Sequence, residues 1–236
     1  MRDSWRHFAA EFFGIFGLVF VGGAAIMASA QTHDANALMI AAVAHGVILA
    51  VMVTATMRIS GHLNPAVTIG FLVARRIEPV MAVIYIIAQL LGAAVAAYAL
   101  KAIFPAAIAE ATHLGGQSVA LDVSTGQAIL AEAIATFFLT FVVFGTAVDP
   151  AAPKVGGFAI GLVVTADILA IGPLTGASMN PARSFGPAVA SGVLQGQLIY
   201  WIGPIVGSII AALLYDGLFL RRGKDPAAHG AVQPTS

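Results

Sequence analysis

The sequence predicts an all-α membrane protein, in which six transmembrane helices and two re-entrant half-helices form an inverted 3+3 repeat. Six apolar segments are long enough to cross a bilayer, the two halves of the chain carry matching motifs, and each half contains one half-length apolar stretch. Of the 236 residues, 59% are hydrophobic and 9% are charged, whereas soluble domains carry about 25% charged residues. The composition is that of a membrane protein.

The charge balance and the cysteine count exclude several classes of function. Lys plus Arg and Asp plus Glu each total 11, so there is no basic excess to neutralise a nucleic-acid backbone. The chain contains no Cys, which removes disulfides, thiol catalysis and thiolate metal sites. We therefore expect no nucleic-acid partner, no metal ion and no cofactor.

The predicted spans divide the chain into two repeats within one membrane channel domain, 1–236. A spanning helix needs about 20 mainly apolar residues, and the segments that qualify are about 8–30, 37–57, 79–103, 127–148, 155–172 and 197–220. The first is too long for the apolar core of a signal peptide, so we interpret it as a retained helix. The predicted parts are repeat one (about 8–103), an outer connecting loop (about 104–126), repeat two (about 127–220) and a cytoplasmic tail (221–236).

Basic residues predict the orientation of these spans. One set of connections and ends carries nine of them: Arg2, Arg6, Arg58, Arg75, Arg76, Lys154, Arg221, Arg222 and Lys224. The opposite set carries Lys101. Because cytoplasmic connections are enriched in Lys and Arg, both termini are predicted to be cytoplasmic. The eleventh basic residue, Arg183, falls on the outer side and needs a separate explanation.

The two halves repeat the same pattern. Ala10-Glu11 and later His62-Leu63-Asn64-Pro65-Ala66 in the first half correspond to Ala131-Glu132 and Ser178-Met179-Asn180-Pro181-Ala182 in the second. Each half has three spans, and an odd number of spans forces similar halves to insert with opposite topology. They are then related by a pseudo-two-fold axis in the membrane plane.

Each Asn-Pro-Ala begins an apolar stretch of about half the spanning length, at 64–74 and 180–190. Asn is a favoured N-cap, and Pro suits the first helical position, so two half-helices should meet near the midplane. Irregular backbone at that depth must be buried in protein or line a water-filled path. We expect Glu11 and Glu132 to accept hydrogen bonds from this backbone, with a proton relay as the alternative role.

The two Asn-Pro-Ala tripeptides, called boxes below, and the residues around them resemble the aquaporin (major intrinsic protein) family across essentially the whole chain. The residues that carry the resemblance are Asn64-Pro65-Ala66 and Asn180-Pro181-Ala182, 116 positions apart, with Ser60-Gly61-His62, Arg183-Ser184-Phe185-Gly186-Pro187 and Tyr200-Trp201. The segment 176–188 most resembles the plant tonoplast intrinsic proteins. The resemblance implies a passive water channel that excludes protons and ions. It also implies a homotetramer with one pore per subunit, and we expect it in the cell (plasma or inner) membrane.

By the same resemblance, a selectivity filter is expected at His45, Ile168, Ala177 and Arg183. Counting back from Asn64 selects Ala44 instead of His45, because Ser60-Gly61-His62-Leu63-Asn64 is one residue shorter than the family's usual loop. Counting from Ser60-Gly61 selects His45, which we prefer. The alternatives are a snorkelling interfacial role for Arg183 and a core role for His45.

Two further residues have open roles. The Thr112-His113 pair resembles the corresponding loop of the tonoplast proteins, where the histidine extends the outer filter; the alternative is a solvated loop histidine. Asp167 is an acid beside Ile168 where relatives commonly have a neutral residue. It is either a carboxylate near the outer membrane interface or a group that orients a hydrogen-bond donor of the constriction formed by the selectivity filter.

Other permeants and other classes are the alternatives to a strict water channel. Ile168 and Ala177 predict a wider, more apolar constriction, which would favour neutral ammonia as an additional permeant. A glycerol or small-solute facilitator is disfavoured because Ser184 follows Arg183, where glycerol-conducting members usually carry Asp. A secondary transporter would normally place a coupling acid at the midplane, and no converging nucleophile and base indicate an enzyme.

Overall fold

The computed structural model describes residues 4–153 and 155–220. The helices are α1 (Ser4–Thr32), α2 (Ala37–Thr56), α3 (Pro65–Val73), α4 (Pro79–Ile103), α5 (Ala106–Ala111), α6 (Thr125–Val143), α7 (Phe158–Thr175), α8 (Pro181–Ser191) and α9 (Ile199–Tyr215). Two π-helical turns, Phe144–Val148 and Asp216–Leu220, extend α6 and α9. The predicted tail 221–236, Arg2 and Lys154 lie outside the described residues.

Six of these helices are long and apolar enough to cross a membrane, which confirms the predicted fold class. Some predicted span boundaries differ by a few residues: α1 begins at Ser4 instead of about 8, and α7 is Phe158–Thr175 instead of about 155–172. The later end of α7 has a structural reason. The helix continues through Pro173 and ends at Gly176, whose φ of 77° is left-handed and whose N–H bonds to the Gly172 carbonyl. Glycine accepts that conformation without a steric penalty.

The spanning helices pack closely through small residues. A Cβ added at Gly207 in α9 would lie 2.0 Å from the Ala133 carbonyl oxygen in α6, and one at Gly161 in α7 would lie 2.2 Å from the Gly46 oxygen in α2. Lipid is as apolar as a helix surface, so close van der Waals packing at small residues drives the association of helices in membranes.

The two half-helices interlock the repeats. A Cβ at Gly70 of α3 would lie 2.5 Å from the Ser208 hydroxyl oxygen of α9, and one at Gly186 of α8 would lie 2.4 Å from the Ala93 carbonyl oxygen of α4. Each half-helix therefore packs against a spanning helix of the other repeat. The positions of both box loops consequently depend on the whole bundle.

The outer surface of the bundle is apolar. Large hydrophobic side chains are exposed on every spanning helix, for example Phe13, Val47, Val83, Leu130, Leu162 and Ile210. Such a surface is unfavourable in water and suits contact with hydrocarbon. The protein is therefore an integral membrane protein.

Candidate functional site

The two box asparagines bind each other's loops at the centre of the bundle. The Asn64 side-chain oxygen accepts the Ala66 N–H at 2.9 Å, and the Asn180 oxygen accepts the Ala182 N–H at 3.0 Å. Across the pseudo-two-fold axis, Asn64 Nδ2 donates to the Met179 carbonyl and Asn180 Nδ2 donates to the Leu63 carbonyl, both at 2.8 Å. Each amide nitrogen carries two hydrogens, so one N–H of each asparagine remains.

The rest of each box forms the first turn of a half-helix. Pro65 and Pro181 occupy the first helical position, where the missing N–H costs nothing. Ala66 and Ala182 are fully buried, so a larger side chain at either position would displace the opposite loop. The proline and alanine of each box are small and closely packed, and they fix the position of the asparagine that precedes them.

Two buried carboxylates hold the loops that precede the boxes. The Glu11 oxygens accept the His62 N–H at 2.9 Å, the Leu63 N–H at 2.7 Å, the Gln89 amide and the Ser60 hydroxyl. These bonds fix a loop in which Leu63 has a φ of 48°, a conformation unusual for a side chain of this size.

Glu132 makes the equivalent contacts in the second half. It accepts the Ser178 N–H at 2.8 Å, the Met179 N–H at 2.7 Å and the Thr175 hydroxyl at 2.7 Å. Met179, like Leu63, is left-handed, with a φ of 54°. The contacts of both acids are those expected of a structural role.

A cavity of about 30 Å³ lies between the two box loops. Its polar lining comes from the loop segments 61–64 and 177–180 with His45 and Arg183. The rest of the lining is aliphatic: Leu18, Leu49, Val53, Val67, Leu139, Val143, Ile160, Val164 and Ile168. The site is a narrow path in which a few hydrogen-bonding groups lie among aliphatic side chains.

The predicted filter residues all line this cavity. The Arg183 Nη2 is 2.9 Å from His45 Nε2, and His45 Nδ1 is 2.7 Å from the Ala41 carbonyl oxygen. A carbonyl only accepts, so Nδ1 carries the proton and Nε2 of the neutral ring accepts from the guanidinium. Ile168 and Ala177 line the same cavity.

His45, and not Ala44, faces the central cavity. His45 is 2% exposed and lines the central cavity, whereas Ala44 lies in an outward-facing groove with Met39, Val43 and Val47. The shortening of the first loop therefore lies between the helix and the box, and it does not shift α2 relative to the cavity.

Two glycines that the sequence reasoning did not single out make room for these groups. A Cβ at Gly22 would lie 2.2 Å from His45 Nε2, and a Cβ at Gly14 would lie 2.1 Å from the Leu63 side chain. The two glycines are eight positions apart, which places them on about the same face of α1. That spacing is the signal from which the sequence could have indicated a shared role.

His113 does not line the central cavity, and no hydrogen bond joins it to Arg183 within the described residues. It lines a separate groove with Lys101, Glu110 and Ser191. His113 and Leu114 both have left-handed backbone, with φ of 47° and 58°, and the Leu114 side chain is 1% exposed.

Gln117 of the outer connecting loop packs beside Gly176, at the start of the loop that leads to Asn180. A Cβ at Gly176 would lie 3.0 Å from the Gln117 Cβ. Asp167 is buried beside Ile168 but makes no hydrogen bond within the described residues, so the structure does not show it orienting a donor.

The fold and the site define a membrane channel, in which two half-helices meet around a narrow path. The family model for the major intrinsic protein family matches residues 1–215. Among similar proteins, Aquaporin TIP2-1 of Arabidopsis thaliana is 43% identical over 226 residues, covering 92% of this chain and 88% of the relative. Aquaporin TIP4-4 of Zea mays is 41% identical, with the same coverage.

A solved structure of the aquaglyceroporin from Plasmodium falciparum matches with a TM-score of 0.82 and covers 93% of this chain and 98% of that one. At 24% identity this likeness concerns the fold alone. The chain belongs to the major intrinsic protein family, and it is a channel and not an enzyme.

Replacing Glu132 with Leu should lower the midpoint of thermal unfolding of the detergent-purified protein. The Ser178 and Met179 N–H groups and the Thr175 hydroxyl would lose their acceptor, and each buried donor without a partner costs about 1–3 kcal/mol. The midpoint of Glu132→Gln should lie between those of the unmodified protein and Glu132→Leu. The amide keeps one acceptor oxygen, but its NH₂ group faces another donor. Fluorescence-monitored unfolding measures the midpoint.

The matched control for this series is Glu110→Gln, which changes an exposed acid and should leave the midpoint unchanged. A Glu132→Leu variant as stable as the unmodified protein would show that the carboxylate does not hold the loop.

Proposed function

We propose that the protein is a passive water channel that excludes protons and ions. The observation that carries this proposal is the pair of box asparagines, each held by a 2.8 Å bond across the axis with one N–H left over. These donors line a path whose remaining lining is largely aliphatic. Water entering the path therefore replaces its lost hydrogen bonds at a few polar groups.

The arrangement of these donors accounts for the orientation of water at the centre. A water oxygen that accepts from Asn64 or Asn180 points its hydrogens away from the amides, toward the two ends of the file. The aliphatic wall offers no competing partner. A central water held this way cannot also accept a proton from its neighbour, so relay of a proton along the file is interrupted.

Charge repulsion and desolvation oppose the passage of ions. Each half-helix N-terminus carries about half a positive charge. Together they repel a proton at about 5 Å by roughly 3 kcal/mol at an effective dielectric of about 20. Removing an ion from water costs several kcal/mol more, so desolvation is the larger barrier. The positive charge of Arg183 adds to the repulsion of protons and cations.

We assign the outer constriction to His45, Ile168, Ala177 and Arg183. Arg183 is 4% exposed, and its Nε and Nη1 have no partner within the described residues. Buried donors of this kind need acceptors, which passing water supplies. The bond that Nη2 donates to His45 holds the guanidinium while leaving those donors available. The residue after Arg183 is Ser184, where glycerol-conducting members of the family usually carry Asp. This difference supports water over glycerol as the permeant.

We further propose a homotetramer with one pore per subunit, in the cell (plasma or inner) membrane with both termini cytoplasmic. The distribution of basic residues, nine against one, supports this orientation. Exposed apolar grooves on the bundle, such as the one beside Val43 and Val47, offer surface for contacts between subunits or with lipid.

Stopped-flow shrinkage of proteoliposomes tests the main proposal. The purified protein should raise osmotic water permeability above that of empty liposomes and lower its activation energy, without conducting protons. Asn64→Leu or Asn180→Leu removes a central donor worth about 1 kcal/mol, so flux per channel should fall about fivefold or more. Unchanged flux in both variants, at equal reconstitution, would exclude this path.

Mercuric ion tests the assignment of Ala177. The unmodified chain has no Cys, so its water flux should be insensitive to mercuric ion at concentrations that spare the lipid. Ala177→Cys should become sensitive, because a bound mercury atom would fill the constriction. The matched control is Ala44→Cys on the outward-facing groove, which should be labelled without loss of flux. A labelled Ala177→Cys variant with normal flux would contradict the assignment.

The aliphatic side of the constriction favours neutral ammonia as a second permeant. Ile168 offers no hydrogen bond, and ammonia loses less than water on partial dehydration. Proteoliposomes exposed to an ammonium salt should therefore alkalinise faster than empty liposomes, and Ile168→His should slow alkalinisation more than it slows water flux. Ammonium remains excluded by Arg183 and by desolvation. Alkalinisation no faster than in empty liposomes, with normal water flux, would refute ammonia passage.

A further inference from the structure

A second, small polar cavity lies outside the pore. It is enclosed by the outer connecting loop, the C-terminal part of α8 and the segment before α9, and its polar lining includes Gln117, Ser184, Ser191 and Gln197. None of these residues lines the central cavity between the box loops. Arg183 lines the central cavity, and the next residue, Ser184, lines this one.

The cavity contains buried polar atoms that no protein group satisfies. Gln117 is 8% exposed, and neither its amide oxygen nor its amide nitrogen has a partner within the described residues. The Gln197 amide oxygen is also buried without a partner. Each such atom would cost about 1–3 kcal/mol, and buried polar groups in proteins are almost always bonded to protein or ordered water.

The size of the cavity identifies the partner. Its volume is about 10 Å³, which is close to the smallest space that holds one water molecule. A buried water needs two to four polar partners, and two glutamine amides with the adjacent Ser184 hydroxyl supply that number. The Ser184 oxygen already bonds to Ser178, but a hydroxyl has further acceptor capacity.

Water can reach the cavity without passing through the pore. His113, Ser191 and Val193 line both this cavity and a larger groove of about 310 Å³, which also includes Lys101. This groove lies at the outer connecting loop, on the side that the basic-residue distribution assigns to the exterior. His113 therefore stands between the outer groove and the cavity.

We propose that this cavity binds a single structural water molecule, held by the amides of Gln117 and Gln197 beside the Ser184 hydroxyl. The water joins the outer connecting loop to the segment that begins α9. Gln117 also packs against Gly176, so the same water supports the constriction loop from behind. This inference concerns a site off the conduction path and does not depend on what the pore conducts.

A high-resolution cryo-electron microscopy structure of the unmodified protein in lipid nanodiscs tests the proposal directly. We expect a density peak within about 3 Å of a Gln117 amide atom and of the Gln197 amide oxygen. Three results would overturn the proposal: a direct bond between the two amides, a Gln117 side chain turned into the pore, or a cavity without density.

A double-mutant cycle gives an independent test. Gln117→Met and Gln197→Met each remove one partner of the water and should each lower the thermal unfolding midpoint. In the double variant no amide needs the water, so the loss should not exceed that of the more damaging single variant. Gln195→Met, at an exposed position of the same turn, is the control. Additive losses would contradict a shared water, and abolished water flux in Gln197→Met would place the site on the conduction path.

Discussion

The structure depends on satisfying irregular backbone at the middle of a membrane. The loops before the two boxes leave N–H groups unpaired at a depth where lipid offers no partner. Glu11 and Glu132 accept those N–H groups, and each box asparagine caps its own half-helix while binding the opposite loop. With these bonds in place, the polar backbone of the loops lines the path without leaving unpaired N–H groups in the membrane.

This solution requires the two repeats to be assembled together. A carboxylate in α1 holds the first loop, but that loop's carbonyl at Leu63 is bound by Asn180 of the other repeat. The half-helices likewise pack against α9 and α4 through Gly70 and Gly186. Neither loop has a complete set of partners within its own half, so the pore geometry is a property of the whole bundle.

The sequence predicted those features that depend on local pattern. Span length, the odd number of spans in each repeat and the Asn-Pro start of each half-helix were sufficient for the architecture and for the partners of Glu11. The path of the outer connecting loop was not predictable in this way. It depends on a left-handed Leu114, which no motif signals, and on packing that buries Gln117 in place of His113. The room that Gly22 leaves for His45 is similarly a contact between distant helices.

The pseudo-two-fold symmetry is broken within the proposed selectivity filter. Equivalent pairs recur at the boxes: His62 bonds to Thr68 as Ser178 bonds to Ser184. Three residues after each box asparagine, however, the first half-helix has Val67 and the second has Arg183, and both side chains line the cavity. The central donors are therefore duplicated, whereas the fixed side-chain charge acts on one side only. In the proposed orientation and filter assignment, an ion entering from the outer side would meet Arg183 before the centre. Water would meet the same amides from either direction, so flux could be symmetric although the proposed filter is not.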